Sequence, residues 1–277
     1  MPPNAQESLT RGIALLRNNR PHEAIPLLEI AVKAGFGRFS PDILKTAKAF
    51  AEGVKFVEVA FGDHKFKFAL VPGNLGMDIH HVAGRFFETD ELAFCQKIVP
   101  TRAVIVDVGA NTGNNVIFYA GVLKPSLVIP VEPITETVAV LRQNLELNGM
   151  SVDERGFGVA AAAHPTELLR GDNAGRDMAV FSVREKQPGE DGVAIRGVPL
   201  DNLVPERVDF MKVDVEGFET DVLKGARRIL SEDKPLLCME VTDKSDDAVA
   251  IISDHGYRPV KEFQAIGYKN VFFRVNG

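Results

Sequence analysis

The sequence predicts an α/β fold in which a mostly parallel sheet is covered by helices on both faces, preceded by a small helical hairpin. Three observations carry this. From about Thr101 onward, apolar runs alternate with helix-length amphipathic stretches in the repeating order strand, glycine turn, helix. The apolar runs read as buried strands, and buried strands joined by helices of this length form parallel sheets. Residues 7–34, by contrast, carry helical periodicity with a break in the middle.

The elements follow in chain order. Leu9, Ile13 and Leu16 recur at helical spacing, Asn18–Pro21 interrupts them, and Ile25, Leu28 and Val32 resume the pattern. The layout resembles one tetratricopeptide-type unit with Ala24 and Ala31 as its small packing residues. One such unit cannot bury its apolar face alone, so it is expected to lean on a neighbour in this chain or in a second copy, which would make a homo-oligomer. Residues 54–61 and 65–71 alternate around Gly62-Asp63-His64 as a β-hairpin. Strands are expected at 103–109, 126–132, 155–162, 208–214, 235–241, 257–264 and 269–275. Helices are expected over Asn114–Lys124, Thr135–Asn148, Phe218–Leu230 and 245–255. Residues 164–200 are glycine-rich, with short strands near 178–183 and 193–198. The expected division is 1–52 helical extension, 53–100 hairpin and lead-in, and 101–277 main domain.

Composition narrows the function. At 277 residues and 45% hydrophobic, the chain buries a full core, enough for one large domain with an appendage. A formal net charge of −6 argues against a nucleic-acid partner held by phosphate contacts. Cys95 and Cys238 stand far apart, without disulfide or zinc spacing. The first residues lack a signal-peptide layout, and no apolar run approaches the ~18 residues of a membrane span. A soluble cytoplasmic protein is the expectation.

The stretch VIVDVGANTGNNV (104–116) is the first candidate site. A phosphate-binding P-loop would need lysine after Gly113, where Asn114 stands. A dinucleotide loop wants a glycine where Asn111 stands, although asparagine tolerates the left-handed backbone of such a turn. S-adenosylmethionine is the third reading. It has no phosphate, so an amide and a carboxylate are at home in its loop. Glu132 closes the next strand, where a carboxylate accepts from both hydroxyls of a ribose and opposes a 2′-phosphate.

DVGANTG (107–113), VEP (131–133) and KVDVEGFETDVLKGA (212–226) together resemble the FkbM family of S-adenosylmethionine-dependent methyltransferases. The resemblance runs from about Phe86 to the C-terminus and leaves residues 1–50 outside. It implies a class I methyltransferase fold, Rossmann-like, with seven mostly parallel strands and the last antiparallel. It also implies that Asp107, Gly109, Asn111 and Gly113 hold the methionine end of the cofactor and that Glu132 holds the ribose. FFETDELAF (86–94) resembles the family's acidic lead-in, which would set Glu88 over the cofactor.

Asp214 ends a strand, and Glu216 stands before a glycine at the start of a helix, so both face the crevice beyond the strand ends. They are the candidate catalytic residues. Asp214 would serve as base, as the group orienting the acceptor, or as a metal ligand together with Glu216 and Glu240. No spacing demands a metal, and none is expected. Glu219 reads as an ordinary first-turn acid. His80 and His81, read as strand neighbours, would point opposite ways, so at most one faces the site. Cys238 reads as a buried, inert thiol. Arg170, Arg176 and Arg184 lie in the segment expected to meet an acceptor. Where amino-group methyltransferases carry an Asn/Asp-Pro-Pro-aromatic motif, this chain has Asp214-Val215-Glu216, which favours oxygen as the acceptor atom. The expected function is methylation of a sugar or natural-product hydroxyl. An inactive interaction protein and an NAD-dependent oxidoreductase are the alternatives.

Overall fold

The structure, a computed structural model, describes residues 4–171, 183–187 and 189–275. These divide into two compact units, the first holding residues 4–89 with Glu146–Asn148 and the second the remainder.

In the first unit, helix α1 (Ala5–Arg17) starts where the Asn4 side chain accepts from Glu7 N at 2.8 Å. Helix α2 (Pro21–Lys33) opens on a proline, which suits the first turn. The two helices approach closely because Gly12 has no side chain: a Cβ there would lie 2.7 Å from Leu28 Cδ2. Ala24 and Ala31 are fully buried on the inner side of α2. Helix α3 (Ser40–Ala51) supplies Ile43 and Ala47 to the same cluster. Strands β1 (Phe56–Phe61) and β2 (His64–Ala69) form the expected hairpin, with Phe61 paired to His64 across Gly62-Asp63. Helix α4 (Leu75–Val82) then closes the cluster with Leu75. The apolar face of the helical hairpin is therefore buried by neighbours in its own chain.

His80 and His81 stand on α4, a helix rather than the strand expected. Its apolar residues, Leu75, Ile79 and Val82, recur at the spacing of a helix face. His81 is fully buried, its ring stacked 3.9 Å from that of Phe68. His80 packs between the rings of Phe39 and Phe87, and burial, aided by Arg85, holds its pKa down at about 4. Both histidines are packing residues of the first unit.

The second unit opens with α5 (Thr89–Ile98), whose first residue belongs to the other unit, and β3 (Val104–Val108). Helix α6 (Asn114–Phe118) runs on as a π-helical turn, Tyr119–Leu123, capped by Lys124 in the left-handed conformation. Strand β4 (Leu127–Glu132), helix α7 (Thr135–Leu147) and the short β5 (Gly156–Phe157) follow. At Gly158 (φ 71) the chain turns out of the sheet. The strand expected over 155–162 is thus two strands, because β6 (Val159–Ala161) belongs to a second sheet.

That second sheet has the order β6-β9-β7-β8, with β7 (Thr166–Arg170), β8 (Val183–Glu185) and β9 (Ala194–Val198). Strand β9 was expected and β7 was not. Of the strand expected near 178–183, residues 178–182 lie outside the described residues, as does Arg176.

After the short helix α8 (Leu200–Leu203), strand β10 (Phe210–Val213) leads to α9 (Glu219–Lys224). The helix expected to run unbroken to Leu230 is interrupted there, because Gly225 lies against the backbone of Ala162, where a Cβ would stand 2.1 Å from the carbonyl oxygen. Helical residues resume at Arg227 and run on as a π-helical turn, Ile229–Asp233. Strand β11 (Leu236–Val241), helix α10 (Asp246–Asp254) and the pair β12 (Tyr257–Gln264) and β13 (Lys269–Val275) complete the unit.

The main sheet has seven strands in the order β12-β13-β11-β10-β3-β4-β5. Strands β5, β4, β3, β10 and β11 pair in parallel, and β13 runs antiparallel to both its neighbours. On one face Val106, Met211, Val213 and Leu237 bury against Val222, Leu223 and Ile252 of α9 and α10. On the other, Phe210 and Phe272 meet Tyr119 beyond α6 and Phe94 of α5. Each such aromatic ring contributes on the order of 2–3 kcal/mol by leaving water. Among the described residues no helix is long and apolar enough to cross a membrane.

Candidate active site

The parallel strands β3, β4, β10 and β11 all end at one edge of the main sheet, the edge at which open parallel sheets bind their ligands. Beyond β3 the loop turns on three left-handed residues, Gly109 (φ 86), Asn111 (φ 49) and Gly113 (φ 91). Asparagine is tolerated there because its side chain bonds locally: Oδ1 accepts from Thr112 N at 2.6 Å. The amides of Gly109 and Ala110 donate to Val131 O, holding the loop to the end of β4.

Glu132 joins the first two motifs. Its Oε2 accepts from Asn111 N at 2.9 Å and its Oε1 from Ile134 N at 3.0 Å. Burial pushes its pKa up to about 7, outweighing the two amides, and the nearby Asp107 charge adds to the rise.

The third motif touches the first. Asp214 N donates to Val108 O at 3.0 Å, and a Cβ on Gly109 would lie 1.8 Å from Asp214 O. Lys212, 4% exposed, places its Nζ 2.6 Å from Asp214 Oδ2. The register sets Lys212 beside Asp107 on β3 and beside Cys238 on β11. Glu240, two residues past Cys238, stands on the same face. Burial first, then the charges of Asp214, Glu216 and Glu219, push its pKa up to about 8 against the opposing Lys212.

The remaining candidates are placed as follows. Glu216 is exposed, with its backbone left-handed (φ 53). Glu219 is buried and accepts from Gly217 N at 3.0 Å, closing the turn into α9. Cys238 is buried. Glu88 lies in the first unit, half-buried and left-handed (φ 55). Two lead-in acids, Asp90 and Glu91, lie in the second unit. Asp90 is exposed, whereas Glu91 Oε2 accepts from Asn270 Nδ2 at 2.8 Å, and Asn270 pairs with Glu240 across β11 and β13. Lys212, Asn270 and Glu91 were missed as site residues. The available signal was a lysine inside the apolar run VDFMKVD and an asparagine just before VFF.

Arg170 and Arg184 line a cleft of about 490 Å³ with Ile134, Gly158 and Val193. Each is already paired, Arg170 with Glu136 at 3.1 Å and Arg184 with Glu190. Among the described residues no group of three or more histidine, cysteine or acidic side chains is placed to hold a metal.

A seven-stranded sheet in this order, with a glycine turn after one central strand and an acid closing the next, is the class I methyltransferase fold. The model of the FkbM methyltransferase domain matches residues 107–259, just over half of the chain, and the chain belongs to that family. Its methyl donor is S-adenosylmethionine. No curated protein matches the sequence significantly.

Among solved structures, the FkbM methyltransferase of Methylobacillus flagellatus is 17% identical with a TM-score of 0.45, and the match covers 83% of this chain and 54% of that one. The chain thus spans about half the length of that relative. A precorrin-6y C5,15-methyltransferase of Geobacter metallireducens is 13% identical over 68% of this chain and 88% of that one, TM-score 0.43. Aeropyrum pernix fibrillarin, solved with S-adenosylmethionine, is 13% identical over 67% and 73%, TM-score 0.42.

The residues present fit that donor. Each Glu132 oxygen accepts one backbone amide and keeps a lone pair for a ribose hydroxyl.

Proposed function

We propose that the chain is an S-adenosylmethionine-dependent O-methyltransferase acting on a hydroxyl of a small molecule such as a sugar or natural product. The observation that carries this reading is the joining of three motifs at one strand edge. Asn111 N donates to Glu132, Gly109 lies against Asp214, and Lys212 pairs with Asp214. In this reading the loop of Asp107, Gly109, Asn111 and Gly113 holds the methionine end of the donor, and Glu132 the ribose. When bound, the donor supplies a methyl group on a sulfonium, which a hydroxyl accepts as it gives up its proton. Asp214 orients that hydroxyl as a hydrogen-bond acceptor, and Glu216 adds negative charge at the mouth of the crevice.

Carboxylates at the ends of β10 and β11 support oxygen as the acceptor atom, since they offer hydrogen-bond acceptors to an O–H. The cleft at Arg170 and Arg184 supports a neutral, hydroxylated acceptor over a polyanion, because Glu136 and Glu190 offset both arginines. The net charge of −6 supports the same choice against nucleic acid. Action in the cytoplasm belongs to the proposal.

Calorimetric titration with S-adenosylmethionine, S-adenosylhomocysteine and NAD tests the cofactor, with Glu132→Ala as control. Micromolar binding of the two sulfur ligands, weakened in the variant, is expected. Binding of NAD alone would overturn the reading. Transfer of labelled methyl to a panel of sugars and hydroxylated natural products then tests the acceptor, and products methylated only on nitrogen would refute the oxygen assignment.

A further inference from the structure

Besides Glu132, three carboxylates share this sheet face near the strand ends, and their surroundings make them unequal. Asp107, on β3, is 1% exposed. Asp214, just past β10, has Oδ2 committed to Lys212 Nζ at 2.6 Å, so a proton reaching that oxygen would have to displace the ammonium. Glu240 is the third. Val213 pairs with Met239, which puts Glu240 alongside Asp214 in the next register position. It is half-buried, and among the described residues no donor hydrogen-bonds or ion-pairs with its carboxylate. The charges facing it are Asp214, Glu216 and Glu219 as anions and Lys212 as the cation. From β13 it faces Asn270, whose amide nitrogen is turned to Glu91 of α5.

We propose that Glu240 is the proton acceptor of the reaction, with Lys212 as the positioning residue that holds the Asp214 carboxylate in place beside it. This rests on the O-methyl transfer reading. The acceptor's O–H bond breaks, and its proton ends on a Glu240 oxygen. The electron pair left on oxygen bonds the incoming methyl carbon, and the pair of the broken C–S bond goes to sulfur. A carboxylate, a sulfonium and an alcohol become a carboxylic acid, a thioether and an ether, with charge conserved.

The surplus of anions around Glu240 has a measurable consequence. The positive sulfonium of the donor favours the ionised carboxylate, whereas the neutral sulfur of the spent donor does not. Binding of S-adenosylmethionine should therefore expel a proton that binding of S-adenosylhomocysteine does not. Because both ligands carry the same ribose, any proton lost from Glu132 cancels in the comparison.

The test is calorimetric titration of the full chain at pH 7.5, with each ligand, in phosphate and in Tris, whose ionisation heats differ. With Glu240 poised at about 8, wild type should release roughly half a proton or more in excess with S-adenosylmethionine. Glu240→Gln should abolish the excess while binding both ligands, and Glu240→Asp, which keeps an acid, should retain it even if one variant melts at lower temperature. Equal proton counts in wild type, or an excess that survives in Glu240→Gln, would overturn the role of Glu240 and leave the methyltransferase reading standing. Failure of the folded wild type to bind either ligand would overturn both.

Discussion

A Cβ placed on Gly109 would stand 1.8 Å from the carbonyl oxygen of Asp214, although the two residues are 105 positions apart in the chain. The glycine loop and the acidic strand end are therefore a single packed object. Gly109 also has φ 86, a conformation that side chains resist. Gly109→Ala should cost at least about 3 kcal/mol, read by urea denaturation, because the atom its Cβ would overlap is backbone rather than a flexible side chain that can move away. Gly113→Ala should cost less, since its Cβ would meet Leu141 Cγ at 3.0 Å. Equal tolerance of both substitutions would contradict the packing.

Lys212 is a charge inside a sheet. Lys212→Met should destabilise the protein by about 2–4 kcal/mol, because it leaves Asp107 buried and Asp214 without its cation. Lys212→Arg keeps the charge but brings a larger, planar group to a site with 4% exposure, and it should recover only part of the loss. Thermal melts of the two variants beside wild type check the order.

Burial pushes the Glu132 pKa up to about 7, and in the role proposed for it the ionised form is the one that accepts from ribose hydroxyls. The competent fraction falls as pH drops through that value. Affinity for S-adenosylhomocysteine should therefore weaken roughly tenfold between pH 8 and pH 6. Glu132→Gln should bind weakly with little pH dependence over the same range. Wild-type affinity that does not change with pH would show that the carboxylate stays ionised throughout.

Glu240 makes a prediction about stability. Its folded value of about 8 lies above the ordinary 4.5, so between those values the folded state holds a proton that the unfolded state has released. Stability is therefore lost as pH rises across that window. Glu240→Gln should match wild type near pH 5 and exceed it by about 1–3 kcal/mol at pH 9, after discounting for partial exposure. A variant less stable than wild type at pH 9 would indicate that the carboxylate is held ionised by partners.

The sequence by itself determined the sheet, the glycine turn and the acid at the end of β4. Apolar runs separated by helix-length amphipathic segments permit few arrangements, and the handedness of parallel crossovers removes most of those. Glu132 was legible because a lone acid ending an apolar strand has one common use beside a glycine loop. Tertiary structure decided what depends on neighbours distant in the chain. Gly158 turns the chain from one sheet to another because β6 finds its partner in β9, whose paired residues lie 37 positions later. Helix α9 stops because Gly225 meets Ala162. Which way His80 and His81 face was set by Phe39, Phe68 and Phe87, whose rings pack against them on a helix rather than the strand expected. Glu240 was one acid among several until register set it beside an Asp214 already held by Lys212. Local pattern encodes period and turn, whereas the roles of these side chains depend on burial and on which charges stand nearby, and both are set only when the strands are side by side.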